Sequence, residues 1–284
     1  MCRIFGFRSI FSSKIHNSLL EAENALAFQS ERHPDGWGVC YYLANTPHLV
    51  RSIKTAIDDH LFKRVSGVVS SETVVAHLRK ATTGDLSIVN AHPFQYGRWV
   101  FAHNGNIPDW QKIKPKIITL ISEDLRKYIL GDTDSEALFY LLITNMRKYG
   151  DPLSSTIDSA GLIAAIKETT DQVILLAGPL HKIDDGPSDQ HYLTFIITDG
   201  QLMAAQQGGK KLFYSTYKKK CPERDQCPYL KDICEAPISG NGEKINHLVI
   251  SSEPLQGENV WIGLGCRDIV CIDQRLRFTH ERGA

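Results

Sequence analysis

No apolar stretch in this sequence approaches the ~20 residues needed to span a bilayer. The longest, Leu138 to Ile143 and Val173 to Ala177, have the size of core segments. Net charge is also lacking, since 32 Lys and Arg balance 32 Asp and Glu. A general nucleic-acid or acidic-membrane role therefore has no electrostatic support. No signal-peptide pattern is visible, because Arg3 and Arg8 interrupt the apolar N-terminal run, and a cytoplasmic protein is expected. Gly-rich phosphate loops, internal repeats and low-complexity tracts are missing too. The cysteines, Cys2, Cys40, Cys221, Cys227, Cys234, Cys266 and Cys271, are odd in number, which argues against a disulfide framework. Cys221, Cys227 and Cys234 lack the close pairing of common zinc sites and read as ordinary thiols rather than metal ligands. The basic run Lys218 to Lys220 reads as a solvated loop.

The composition is ordinary for a globular protein, with 42% hydrophobic and 23% charged residues over 284 positions. That length suits one large domain or two small ones. Ile4, Phe5 and Phe7 read as a buried strand. Ile15, Leu19, Ala22 and Leu26 fall on one face of an expected helix over 14–30, which must end before Pro34. Val39 to Leu43 and Leu49 to Ile53 read as a strand pair around Asn45-Thr46-Pro47. Val74 to His77 and Trp99 to His103 read as short strands, each followed by a polar, glycine-bearing loop. A helix is expected over 133–149, opened by a Thr133–Glu136 capping box and closed by Gly150. A second helix is expected over 155–169, followed by a strand at 173–177. Leu193 to Thr198 and Gln201 to Ala205 suggest a hairpin turning at Asp199-Gly200. Further strands are expected at 212–216, 248–252, 260–264 and 269–273. The region 208–246 is the most irregular. This order implies two mainly antiparallel sheet layers with helices outside, an α+β fold.

The residues suited to chemistry begin at Cys2. Removal of Met1 would leave it with a thiol and a free α-amine, which titrates near pH ~8 and can take the thiol proton. Read alone, Cys2 is equally a small buried residue. Four more stretches stand out: His33-Pro34-Asp35-Gly36-Trp37-Gly38, His77-Leu78-Arg79-Lys80-Ala81-Thr82-Thr83-Gly84, Asn90-Ala91-His92-Pro93-Phe94 with Phe101-Ala102-His103-Asn104-Gly105-Asn106, and Gly131-Asp132-Thr133-Asp134-Ser135-Glu136.

Together these resemble the glutaminase domain of class II glutamine amidotransferases, members of the N-terminal-nucleophile hydrolases. The small stand-alone type that begins Met-Cys-Arg is the most similar. The resemblance is specific over about the first half of the chain. Beyond it rests on Thr198-Asp199-Gly200 and Ser251-Ser252-Glu253-Pro254. It implies a four-layer αββα sandwich and a single domain over 2–284, with an irregular insertion around 208–246. It also implies that no metal or organic cofactor is needed.

The resemblance assigns Cys2 as nucleophile and Asn104 with Gly105 as the oxyanion hole. Residue chemistry agrees, since an amide and an open backbone N–H form a donor pair. Arg79 is expected to grip the substrate carboxylate with its planar fork, and Asp134 its ammonium. Thr82 and His92 are expected to line or brace the glutamine pocket, and Asp35, Gly36 and Trp37 to form a loop over the nucleophile. Each has a plainer alternative: an Asn-Gly turn, a surface arginine, a helix cap, a packed histidine, an aromatic plug. Lys80 and Thr83 depart from the Trp and His of some relatives, so the pocket wall should differ. Fused relatives carry a synthase that consumes the ammonia; none is expected to follow here. The implied activity is cleavage of the γ-amide of glutamine or a γ-glutamyl compound. Alternatives are a dedicated γ-glutamyl peptide or conjugate hydrolase, and a non-catalytic γ-glutamyl-binding subunit. An ammonia-accepting partner protein is expected only for an amidotransferase.

Overall fold

A computed structural model describes residues 2–14, 19–20, 25–81, 84–154, 156–182, 186–187, 189–221, 225, 227, 232–238 and 240–283. Among these, two antiparallel sheets lie face to face. The first contains β1 (Arg3–Lys14), β2 (Trp37–Leu43), β3 (Thr46–Ser52) and β4 (Ser70–Leu78). It is completed by β9 (Phe213–Ser215), β10 (His247–Ser251) and β11 (Ile262–Gly263). Its order is β11-β9-β10-β1-β4-β2-β3. The second contains β5 (Phe94–Tyr96), β6 (Trp99–Asn106), β7 (Tyr192–Thr198), β8 (Met203–Gln206), β12 (Ile269–Ile272) and β13 (Phe278–Glu281), ordered β13-β12-β8-β7-β6-β5.

Side-chain alternation sorts these strands into layers. Ile4, Val75, Val100, Ala102 and Ile196 pack between the sheets. Their neighbours Phe5, Val74 and Ala76 face outward beneath α1 (Leu26–Gln29) and α2 (His60–Val68). Trp99, Phe101, Phe195 and Ile197 face α3 (Trp110–Leu120), α5 (Asp134–Met146) and α6 (Ser159–Ala177), with α4 (Glu123–Arg126) beside them. The result is the expected four-layer αββα sandwich. The sheets approach closely at Gly6, where a Cβ would lie 3.0 Å from the Ile196 side chain.

Several local expectations fail for identifiable reasons. The helix expected over 14–30 starts too early, because Lys14 still belongs to β1. Past an irregularity in register, β1 continues with Ser13 and Lys14 paired to Ser71 and Ser70. Among the described residues of that stretch, 19–20 are π-helical and Leu26–Gln29 is α-helical, followed by a 3₁₀ turn at Ser30–Arg32, while 15–18 and 21–24 lie outside the described residues. The strand expected at 173–177 is the last turn of α6, which starts at Ser159 under the Asp158 cap. Leu162, Ile166, Thr170 and Val173 make one buried helical stripe, and Leu175 is 86% exposed, so the β-branched run is overridden by helical packing. The first hairpin turns one step earlier than expected, on Ala44 and Asn45. Both have positive φ, as a two-residue hairpin loop demands. Thr133 caps α5 by accepting from the Glu136 N–H at 3.3 Å. Glu136 does not complete the box; its carboxylate accepts from the Leu130 and Gly131 N–H groups. No helix among the described residues is long and apolar enough to cross a membrane.

Candidate active site

Pairing of β1 with β4 sets Arg3 against Leu78 and Ile4 against His77, which brings Cys2 to the chain leaving β4. There the Lys80 N–H donates to the Cys2 Sγ at 3.3 Å, and the Lys80 carbonyl lies 3.5 Å from the same sulfur. Burial raises the thiol pKa; the Lys80 backbone bond and the Arg79 charge lower it, and the Asp134 charge raises it. The first of these dominates, so the resting group is a thiol and attack requires a base. The Asp35 carboxylate accepts from the Ala81 N–H at 2.8 Å, and Gly36 O accepts from the Arg79 N–H at 2.8 Å. These contacts fix the segment that holds the sulfur.

Arg79 is buried one residue past the end of β4. Its guanidinium donates to Gly84 O at 3.2 Å and Asp85 O at 3.1 Å. Burial lowers its pKa, while Cys2, Asp35, Asp134 and Asp85 raise it. The charges of Cys2, Arg79 and Asp134 thus act on one another. Asp134 is the first residue of α5. Its Oδ2 accepts from the Ile107 N–H at 2.7 Å and its Oδ1 from the Ser135 N–H at 2.7 Å. It therefore ties the end of β6 to α5, in addition to any ligand role.

Asn104 and Gly105 lie inside β6 rather than in a loop after it. Strand alternation sends Asn104 inward with Val100 and Ala102, toward the first sheet. It is buried, its Oδ1 has no partner among the described residues, and it lines a cavity of about 520 Å³. That cavity is also lined by Arg3, Lys80 and Ser252. Gly105 has a packing reason of its own: a Cβ would lie 2.1 Å from both His103 Nε2 and Tyr192 O.

Beneath the site lie three buried imidazoles. His77 and His92 stack with centroids 4.0 Å apart, and His77 Nε2 donates to His103 O at 3.2 Å. His103 Nε2 donates to Tyr192 O at 3.1 Å, leaving its Nδ1 to accept from the Ser135 hydroxyl at 2.9 Å. Burial lowers all three pKa values, that of His77 to about 3. His92 is therefore a neutral packed ring with neither nitrogen paired among the described residues. Gly38 makes room for its backbone, since a Cβ there would lie 2.0 Å from His92 O.

Two expectations are corrected or left open. Trp37 is no lid: it is fully buried at the start of β2, edge-on to Phe62, with its Nε1 donating to Asp59 at 3.1 Å. Thr82 and Thr83 lie outside the described residues. Sequence reasoning missed Lys80 as the sulfur's partner, and Asn90. Asn90 Nδ2 donates to Asp85 O at 3.1 Å, while its Oδ1 accepts from the Asp132 N–H at 3.0 Å. Ser252 and Glu253 belong at the rim: Ser252 Oγ accepts from the Ile4 N–H at 3.0 Å, and Glu253 pairs with Arg3. The stretch around them was the available signal. Among the described residues no group of three or more His, Cys, Asp or Glu is arranged to hold a metal ion.

A four-layer αββα sandwich with a cysteine ahead of a central strand is the N-terminal-nucleophile hydrolase fold. The family model for class-II glutamine amidotransferases matches residues 1–266, and the chain belongs to that family of enzymes. It is 30% identical to the probable glutamine amidotransferase DUG3 of Saccharomyces cerevisiae, over 99% of this chain and 84% of that one. It is also 30% identical to the γ-glutamyl-hercynylcysteine sulfoxide hydrolase of Mycobacterium tuberculosis, over 37% of this chain and 49% of that protein. Among solved structures, a glutamine aminotransferase class-II domain protein from Silicibacter pomeroyi superposes with a TM-score of 0.62. It covers all of both chains at 20% identity, a likeness of fold alone.

Proposed function

We propose that this protein hydrolyses the γ-amide of glutamine or a γ-glutamyl compound through a thioester on Cys2. The observation that carries the reading is the Cys2 sulfur held at Lys80, which lines the same cavity as the buried Asn104 side chain. With Met1 removed, the Cys2 α-amine takes the thiol proton as sulfur attacks the γ-carbonyl carbon. The Asn104 side chain and the Gly105 N–H donate to the oxyanion. The C–N bond then breaks, the amine leaves with the proton, and water hydrolyses the thioester to glutamate. Arg79 receives the α-carboxylate and Asp134 the α-ammonium. His92 braces the pocket from below.

The named γ-glutamyl hydrolase among the relatives supports hydrolysis of γ-glutamyl compounds. The family name equally supports glutamine as substrate, with ammonia passed to a partner protein. Seven cysteines outside any disulfide favour a reducing, cytoplasmic location. The test combines intact-mass analysis with glutamate release from glutamine and γ-glutamyl amides. A chain starting at Cys2 and full loss of turnover in Cys2→Ala are expected. Turnover by protein that retains Met1 would sink the mechanism.

A further inference from the structure

Asp134 shares its carboxylate with the protein itself. A carboxylate offers about four acceptor sites, two on each oxygen. Oδ2 accepts from the Ile107 N–H at 2.7 Å, and Oδ1 from the Ser135 N–H at 2.7 Å. The Ser135 hydroxyl competes for the second site on Oδ1, with its Oγ 3.2 Å away. A serine hydroxyl carries one proton and serves one acceptor at a time. Another acceptor lies closer to the same Oγ: His103 Nδ1, at 2.9 Å.

The tautomer of His103 decides between the two. His103 stacks on Phe101, on the α5 side of β6 and opposite to Asn104. Its Nε2 lies 3.1 Å from Tyr192 O. A carbonyl only accepts, so Nε2 carries the proton. Burial lowers the pKa of the ring and keeps it neutral, which leaves a lone pair on Nδ1. Both side chains are buried, so an Nδ1 without a donor would be costly. The hydroxyl proton therefore belongs to His103, and Oδ1 of Asp134 keeps an acceptor site.

We propose that His103 is a positioning residue for the α-ammonium site: by holding the Ser135 hydroxyl on its Nδ1, it keeps that proton off Asp134 and leaves Oδ1 open to the ammonium of a substrate. His103 itself touches no substrate and acts through Ser135. The inference rests on the reading of Asp134 as the ammonium anchor.

The probes are glutamine and glutaric acid monoamide, the same molecule without its α-amine. His103→Gln keeps a donor for Tyr192 O, because the new amide nitrogen falls near the place of Nε2, but it removes the acceptor at Nδ1. The hydroxyl then turns to Asp134. We expect KM for glutamine to rise on the order of tenfold, the worth of one hydrogen bond to a charged group, with a smaller change in kcat. KM for glutaric acid monoamide should not move. Adding Ser135→Ala removes the competing hydroxyl and should bring the glutamine KM back toward the wild-type value. His103→Asn, whose amide oxygen falls near the place of Nδ1, should retain that value. His103→Phe also lacks the acceptor and gives a second route to the rise should His103→Gln not fold. A glutamine KM unmoved by loss of the acceptor overturns the inference. So does a rise that Ser135→Ala fails to relieve, which is what lost packing alone would give. Wild-type protein with no preference for glutamine over glutaric acid monoamide would refute Asp134 as the anchor, and this inference with it. If wild-type protein turns over neither probe, the hydrolase reading fails, and dissociation constants from calorimetry on the same variants decide the inference.

Discussion

The Cys2 sulfur is held by one residue, Lys80, whose N–H and carbonyl lie 3.3 and 3.5 Å from it. The contact comes from backbone, so it orients the sulfur without supplying a base. Burial meanwhile pushes the thiol pKa above its ordinary value. At neutral pH the sulfur therefore stays protonated until a base acts on it.

The first prediction follows from that direction. Alkylation of Cys2 by iodoacetamide should be slower at pH 7 than that of a free cysteine, with its inflection above the usual thiol pKa of ~8.5. Turnover should instead rise with pH and level off near ~8, where the α-amine becomes free. An alkylation inflection below pH 7 would mean a preformed thiolate and remove the need for the α-amine.

Asn104 separates activity from stability. Asn104→Ala should lower kcat by roughly 10²–10³, the usual cost of one oxyanion donor. The buried Oδ1 makes no hydrogen bond among the described residues, so its removal leaves no partner stranded. The melting temperature should hold or rise while activity collapses. Near-normal kinetics would take Asn104 out of the oxyanion hole.

The alternation of apolar residues made both sheets legible, and the strand pair at β2 and β3 follows directly from it. Cys2, Arg79, Asn104 and Asp134 were legible as residue types able to do the chemistry. The contribution of Lys80 was not, because a backbone contact has no side-chain signature and depends on β1–β4 register. Trp37 stayed open between two readings because an aromatic beside a glycine turn looks alike whether it plugs a core or covers a site. The end of α6 was misread because Val173 to Leu176 carry strand propensity, and only the buried stripe from Leu162 onward shows the helix.

The imidazole layer predicts acid lability. His77 has a folded pKa of about 3, and burial lowers His92 and His103 as well. The unfolded state binds protons at these rings below the ordinary value near ~6.5, where the folded state does not. The stability of the neutral rings is therefore complete above that pH and is lost as pH falls from there toward 3. Each ring contributes up to about 1.4 kcal/mol per pH unit in this window. Urea midpoints should fall between pH 6.5 and 5, and His77→Gln should flatten that slope. An unchanged slope in His77→Gln would show that its ring stays neutral in the unfolded chain or charged in the folded one.

The last prediction concerns Asn90, which connects the two proposed anchors. Its Nδ2 donates to the Asp85 carbonyl that also receives Arg79, at 3.1 Å in each case. Its Oδ1 accepts from the Asp132 N–H, two residues before Asp134, at 3.0 Å. Gly131 is closed against it, since a Cβ there would lie 2.2 Å from Asn90 Oδ1. Asn90 thus sets the loop gripped by Arg79 against the start of α5. Asn90→Ala leaves a buried N–H and a carbonyl without this partner, a cost of about 1–3 kcal/mol for each group left unpaired. The thiol and Asn104 do not touch Asn90, so the chemical step should suffer less than binding. We expect KM for glutamine to rise several-fold with a smaller fall in kcat, and Gly131→Ala to reproduce the pattern by clash. A fall in kcat alone, with KM unchanged in both variants, would mean that Arg79 and Asp134 do not act together on the substrate.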